Sequence, residues 1–378
     1  MSKINDLIKE MCPNGVIFKS IASVANLYYG KGNNIPKDGG EYPVYGCYGI
    51  VSFTSTFNNE DTPIVGHIGS AGKVSWGAGK HYVTYNGTIC NPKDKKKLNS
   101  RYLYHVLLDM HLENYVKGSQ PFLSSSDFGP IKIAIPPLEI QEEIVKILDK
   151  FGELEAELEA ELEARKSQYE FWRGKLLNMD YQKIKLLNLC DKVNNINWKN
   201  DNNNYKYIDL SSVNRENNQV IETSNISKEN APSRARQIVK TKDVLFGTTR
   251  PMLKRITLIS QEYDNQICST GYCVLRPNRE KVVPEWLYFN LQTEDFYKYV
   301  ENFQQGASYP SISDNAVKNY EISLPPIDVQ IKVINVLTKF DKLTNDISEG
   351  LPTEIKLRRK QYEYYRNKLL NFEELKNE

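Results

Sequence analysis

Seven residues in the second half of this 378-residue chain have side chains suited to a polyanion. Arg234 and Arg236 stand in RAR, and Thr248, Thr249, Arg250, Lys254 and Arg255 stand in GTTRPMLKR, within segments rich in turn and strand residues. An arginine fork matches two acceptors on the edge of a guanine, whereas threonine hydroxyls and backbone amides suit phosphate oxygens. Arg250 is therefore a candidate base reader, and Lys254 and Arg255 are candidate backbone holders. Gln304, Gln305, Ser308 and Tyr309 form a polar loop that matches in place Ser119, Gln120 and Phe122 earlier in the chain. Glutamine can bond adenine twice, and a nearby helix start favours phosphate. Closer to the N-terminus, Gly66, His67, Ser70, Gly72 and Lys73 form a glycine-rich segment that lets a ligand approach the backbone, and Lys31, Asn33, Lys37 and Lys80 are further candidates for phosphate contacts. Each cation reads equally well as a solvated surface charge, and the loops as polar staples on their helices.

Other chemistries find no support. The glycines Gly66, Gly69 and Gly72 lack a Walker lysine-serine ending and a following acidic ribose ligand, which argues against nucleotide binding. His67 and His81 read more readily as structural than as catalytic. The six cysteines (Cys12, Cys47, Cys90, Cys190, Cys268, Cys273) form no C-x-x-C pair and, beside four histidines, no zinc-ligand spacing, so they are expected as reduced core thiols. The Asn- or Asp-Pro-Pro-aromatic tetrad of a DNA amino-methyltransferase is missing, as is a carboxylate-lysine nuclease constellation. No catalytic residue, metal or cofactor is assigned. Neither an apolar run of about 20 residues nor a signal-peptide pattern is seen, so a cytoplasmic protein without a membrane partner is expected.

The elements that position these residues come from a duplication. IPPLEIQEEIVKILDKFGEL (Ile135 to Leu154) matches LPPIDVQIKVINVLTKFDKL (Leu324 to Leu343), and QYEFWRGKLLN (Gln168 to Asn178) matches QYEYYRNKLLN (Gln361 to Asn371). LYHVL, Gly118 and SSSD in the first copy answer to LYFNL, Gly306 and SISD in the second. Both S-x-x-D strings are capping-box patterns, placing helix starts at Ser124 and Ser311. Alternating strands (Ile131, Ile133, Ile135; Tyr320, Ile322, Leu324) then lead to a Pro-Pro pair, a helix entrance.

Beyond each Pro-Pro pair the apolar positions step four and three, through Ile140, Ile144, Ile147, Phe151, Leu154 and Leu158, and through Val329, Val333, Val336, Phe340, Leu343 and Ile347. Such a heptad seam calls for a partner helix, and the other rod is the obvious one. ELEAELEAELEA (Glu153 to Ala164) adds one stutter, and the second rod has two. One extra tetrapeptide lengthens a helix by about 6 Å, between one and two base pairs on a DNA scale. The first rod could run about 60 Å, more than one turn of DNA at roughly 34 to 36 Å. In the second, Gly350 and Pro352 should break or kink the helix. Residues 2–137 carry 14 basic and 10 acidic side chains and residues 181–326 carry 19 and 16, whereas residues 138–180 carry 6 and 12, so a polyanion should meet the ends and avoid the middle. The rod ends, with Tyr169, Phe171, Trp172 and Arg173 and with Tyr362, Tyr364, Tyr365 and Arg366, are rich in the residue types of partner interfaces, and serve as well to cap the helices against the globular units.

Taken together, the repeated PP-[LI]-x-[IV]-Q, the F-x-x-L seam, the LEAE run, the QYE-x-x-R-x-KLL ends, KTKDVLFGTTRP with ICSTGYCVLRP, and YPVYGCYGIV with IVGHIGSAGKVSW and VTYNGTICNP resemble the specificity (S) subunit of type I restriction-modification enzymes over essentially the full length. The resemblance implies an α+β chain with a pseudo-twofold duplicated architecture: target-recognition domains at 1–137 and 181–326, and antiparallel coiled-coil spacer helices at 138–180 and 327–378. It implies two half-words of double-stranded DNA, an unread gap set by the helices, and two docked methyltransferase (M) subunits, which two restriction (R) subunits can join. Base-reading residues do not carry over by position within such a family. A coiled-coil assembly scaffold without sequence-specific DNA binding is the alternative reading.

Overall fold

The computed structural model describes residues 2–32, 34–215, 217–345 and 350–375. The chain divides into two compact units, one made of Met1–Glu157 with Leu357–Glu378 and the other of Leu158–Lys356.

In the first unit, helix α1 (Ser2–Met11) leads into β1 (Ile17–Ser20), α2 (Ile21–Val24), β2 (Ala25–Tyr29), β3 (Tyr42–Tyr45), β4 (Ile50–Thr54), β5 (Asn59–Gly66), β6 (Val74–Val83) and β7 (Gly87–Pro92). There follow α3 (Ser100–Asp109), α4 (Ser125–Phe128), β8 (Lys132–Ile135) and α5 (Leu138–Leu177). A six-stranded sheet of order β2-β7-β5-β6-β3-β4 is antiparallel except where β3 meets β6. Its strand β5 is buried from Thr62 to Gly66, as a strand covered on both faces must be. Tyr102, Leu103 and Leu107 of α3 share one core with Val65, Cys90, Leu123 and Phe128, and with Ile140, Ile144 and Leu148 of α5. The C-terminal segment closes the unit: the Val16 N–H donates to the Glu373 carbonyl (2.9 Å), and the Leu375 N–H donates back to Val16 (2.8 Å).

The second unit runs through β9 (Lys183–Lys185), β10 (Cys190–Asp191), β11 (Tyr205–Ile208), β12 (Ser224–Ile226), β13 (Ala235–Ile238), β14 (Val244–Gly247), β15 (Ile256–Leu258), β16 (Ile267–Ser269) and β17 (Tyr272–Pro277). Then come α6 (Pro284–Asn290), α7 (Glu294–Phe303), α8 (Asp314–Lys318), β18 (Glu321–Ser323), α9 (Ile327–Asn345) and α10 (Leu351–Leu370). Two four-stranded sheets, β10-β17-β14-β15 and β12-β11-β16-β13, accompany the pair β18-β9. Phe246, Trp286, Leu287, Phe296, Val333 and Leu337 pack in one core with Tyr169 and Leu177 from the end of α5.

The duplicated motif has a structural cause. Gln141 and Gln330 are fully buried; each amide donates to the carbonyl of the first proline of its Pro-Pro pair at 2.8 Å. The amide oxygens accept the N–H of Asn99 (2.8 Å) and of Val283 (2.9 Å), the residues that cap α3 and α6. One side chain thus ties each long helix to its globular unit and satisfies a helix-end donor.

Two expectations need correction. The start of each rod forms a wall of its globular unit: Leu148 is fully buried, Val336 and Leu343 are exposed, and Ile347 lies outside the described residues. A helix packed against a globular core needs an apolar face wider than a two-position seam. Helix–helix contact comes later, where Phe151 stacks on Tyr365 (5.3 Å) in the first unit and Tyr169 on Phe340 (6.2 Å) in the second. The second cap is Ser313, whose hydroxyl accepts the Ala316 N–H (3.1 Å), rather than Ser311; in the first copy Asp127 accepts the Ser124 N–H (2.9 Å), completing the expected box. The expected interruption of the second rod is present: α9 ends at Asn345 and a separate helix, α10, starts at Leu351, just after Gly350, with Pro352 inside its first turn, where a missing N–H costs nothing. Cys90, Cys268 and Cys273 are buried and the other three cysteines half-buried. Among the described residues no helix is long and apolar enough to cross a membrane.

Candidate nucleic-acid interface

In the second unit β14 ends at Gly247, and the chain turns outward through Thr248–Arg255 before returning as β15. Thr248 is buried, and its N–H and hydroxyl both donate to the Gly271 carbonyl (2.8 and 2.9 Å). The turn is then laced to the loop before α8. The Ile312 N–H donates to the Thr248 carbonyl (3.0 Å), the Arg250 N–H donates to Pro310 (2.7 Å), and Gln305 and Ser311 exchange N–H···O bonds (2.8 and 2.9 Å) across residues 306–310. Arg250 and Lys254 have left-handed backbones, with φ of 48° and 54°, on either side of the single 3-10 turn Pro251–Leu253. The exposed Arg250 guanidinium lies over the Tyr309 ring, 4.2 Å from its centroid, and the Lys254 ammonium lies 4.8 Å from the centroid of Tyr297.

Arg234 joins through a third segment, its carbonyl accepting the Thr270 N–H (2.9 Å) one residue before Gly271. Sequence-distant candidates thus converge: Arg234, Thr248, Thr249, Arg250, Gln305 and Tyr309 sit on three interlocked segments. Arg236 is exposed on β13, and Arg255 is half-buried. The Gln304 side-chain oxygen is shielded and has no partner among the described residues, and Ser308 is exposed at the loop tip.

The first unit builds the same interlock. After β5 the chain turns through His67–Lys73; the Leu123 N–H donates to the His67 carbonyl (3.0 Å), the Gly69 N–H donates to Pro121 (3.2 Å), and Lys117 and Phe122 exchange bonds (3.0 and 3.2 Å) across residues 118–121. By this geometry Gly69 corresponds to Arg250 and Gln120 to Tyr309. Phe122 answers to Ser311, correcting the residue-by-residue match expected from the loops. Gly118 and Gly306 open the two loops with φ of 82° and 96°, which glycine adopts without cost. At the loop base, the Lys117 ammonium and the Ser124 side chain hold the Asp127 carboxyl down to about 2, so Lys117 is already neutralised.

His67 does not reach the surface: it is 1% exposed, its Nδ1 lies 2.8 Å from the Leu123 carbonyl, and its ring packs between Tyr29 (4.1 Å) and Phe122 (4.6 Å). The sequence suggested a ligand contact there, but packing claims the ring. Thr248 is likewise turned inward. Ser70, Lys73, Ser119 and Gln120 are exposed on or beside the interlock. Lys31 is held by its backbone, its N–H donating to the Val83 carbonyl (2.9 Å) and its carbonyl accepting the Tyr82 hydroxyl (3.0 Å). Lys37 is exposed on another loop, and Lys80 lies over Phe57 (4.8 Å), neither joined by hydrogen bonds to the turn; Asn33 lies outside the described residues. Tyr85, 38% exposed beside His67 (5.5 Å), escaped notice, although the Asn86-Gly87 turn signal next to it could have flagged it. Among the described residues, none of the candidate cations Lys31, Lys37, Lys73, Lys80, Arg234, Arg236, Arg250, Lys254 and Arg255 forms an ion pair with a carboxylate, which leaves their charge available to an anionic ligand.

The rod-end residues divide in two. Tyr169, Arg173 and Arg366 are buried and Tyr362 and Tyr365 half-buried; Arg173 donates to the Gln292 carbonyl (2.9 Å) and Arg366 to Asp109 (2.9 Å). Phe171, Trp172 and Tyr364 remain exposed, with the Lys175 ammonium 5.4 Å from the Trp172 ring.

The model of the type I restriction modification DNA specificity domain matches twice, at residues 13–164 and 178–357. This chain belongs to that family. It is similar to a putative type I restriction enzyme specificity subunit of Haemophilus influenzae, 29% identical over 355 residues that cover 88% of this chain and 89% of the relative. It is also similar to the EcoR124I/EcoR124II specificity subunit of Escherichia coli, 28% identical over 74% of this chain and 72% of that one. The crystal structure of a type I restriction-modification S subunit from M. genitalium shares the fold, with a TM-score of 0.61 at 15% identity over 94% of this chain and 96% of that one. The function that goes with this membership is DNA sequence specificity in a type I restriction-modification system, a non-catalytic role; an assembly scaffold without that specificity is not favoured.

Proposed function

We propose that the chain sets a bipartite DNA word, each unit reading one half of a double-stranded site through the surface built on its interlocked turn. The observation that carries this reading is the repetition of one backbone frame, unpaired cations around it, with different side chains at its tip. The long helices act as an antiparallel coiled-coil spacer that fixes the unread gap. Two M subunits dock on the exposed rod-end rings Phe171, Trp172 and Tyr364, and R subunits join through them; catalysis and its cofactors belong to those partners. The assembly works in the cytoplasm, where its DNA is. The target-recognition domains are residues 1–137 and 181–326, with spacers at 138–180 and 327–378.

The test is to assemble the chain with its cognate M subunit and map adenine methylation across a genome by long-read sequencing. Two specific blocks separated by a fixed unread gap are expected. One continuous block, or methylation that ignores the loss of either globular unit, would contradict the proposal.

A further inference from the structure

The two interlocks share their main-chain hydrogen bonds and differ in what they display: Gly69 with Gln120 in one, Arg250 with Tyr309 in the other. We propose that these pairs are the specificity-determining positions of the two units, and that Arg250, laid on Tyr309, hydrogen-bonds a guanine in the half-word of the second unit. The proposal rests on the DNA-reading function given above and assigns the residues that perform it.

Four observations support it. First, the frame does not need an arginine: glycine occupies the matched place in the first unit, with φ of 90°, and makes the same N–H contact to the loop proline. Second, at φ 48° an arginine bears a backbone cost that glycine does not, and its exposed side chain rests only on a ring that is itself exposed, which marks the side chain rather than the backbone as the reason for its presence. Third, the guanidinium carries no ion pair among the described residues and rests on a ring that is itself 70% exposed. Stacking leaves the edge of the fork free, and the face of Tyr309 restricts its orientation before any base arrives, which lowers the ordering cost of a two-bond contact. Fourth, such a fork matches guanine O6 and N7 in the major groove, whereas lysine offers a point charge. In the first unit, where Gly69 presents no side chain, the exposed Gln120 is the reader at that spot, and its amide suits adenine.

The experiment uses the full-length chain assembled with its M subunit and a randomised duplex library, reading the methylated word for wild type, R250G, R250K, K254Q and Q120A. Glycine relieves the left-handed backbone here, and lysine bears the same cost as arginine, as Lys254 does at φ 54°, so neither variant adds strain. In R250G and R250K one guanine position of the second half-word should relax by about tenfold to a hundredfold, with the other half intact and R250K retaining overall binding. K254Q should weaken all sequences alike and flatten the salt dependence. Q120A should relax one adenine position of the first half-word only. If both Arg250 variants keep the wild-type word, or relax a position that is not guanine, the proposal is overturned. A wild type with no two-part word would overturn the underlying function, and this assignment with it.

Discussion

Gln141 makes three hydrogen bonds: its amide donates to Pro136 and Lys97, and its oxygen accepts from Asn99. Replacing it by leucine strands those buried groups at about 1–3 kcal/mol each before relaxation, so Q141L should lose about 2–4 kcal/mol from the first unit, and Q330L a similar amount from the second. Urea unfolding checks this, and unchanged midpoints would contradict it. His105 shows where the copies differ. It is buried, with Nε2 2.8 Å from Asp149 and Nδ1 3.2 Å from the Tyr362 hydroxyl, whereas Phe289 holds the matched place in the second unit. Burial pushes its pKa down against the pull of Asp149. A lowered imidazole contributes its stability in full above the unfolded value of about 6.5, and that stability falls away as the pH drops toward the folded value. Burial also acts to raise the Asp149 carboxyl, but hydrogen bonds from His105 and Arg101 outweigh it and hold it below the ordinary range, so its contribution is lost only in stronger acid. The stability of the first unit should therefore fall as the pH drops below about 6.5, and H105F should reduce that fall; buried His81, shifted in the same direction, leaves a remainder. Melting curves showing the same pH slope for both proteins would contradict this. This network was not legible in the sequence, because Asp149 and Tyr362 lie 44 and 257 positions from His105 and nothing in their types marks them as its neighbours.

The interlocked turn depends on close backbone approach more than on side chains. A Cβ added at Gly72 would meet the Glu113 backbone N at 2.5 Å, at a φ of 81° that is already unfavourable for alanine. G72A should destabilise the first unit by roughly 2 kcal/mol or more, while G79A, which meets nothing within 4 Å, should suffer only the milder cost of its positive φ; thermal melts distinguish the two. The glycine-rich segment was legible as a place of close approach, but the approach turns out to serve the fold as well as the surface. The polar loops were legible too; the single extra residue Ala307 hid their register, so Tyr309 was paired with the wrong partner. In the rods, helix existence and entrances could be read, but burial could not: the four-three spacing is compatible with a seam and with a wall. At their ends, truncating the exposed rings in F171A/W172A should weaken assembly with M tenfold or more in a pull-down or sedimentation titration, leaving the chain's own stability nearly unchanged. Equal affinity for the variant would move the docking site elsewhere.

Across the whole chain, each compact unit takes in the start of one long helix and the end of the other. The duplication made two similar globular parts legible. Which helix segments each part claims followed from side chains such as Leu148 and Tyr169, whose burial the repeat alone does not disclose. The proposed spacer converts helix rise into distance along DNA, at 1.5 Å per residue. Deleting one tetrapeptide, Leu154 to Glu157, from the chain and mapping the methylated word tests this directly. The gap should change by about one to two base pairs while both half-words stay as they were. An unchanged gap, or altered half-words, would show that the helices do not measure the site.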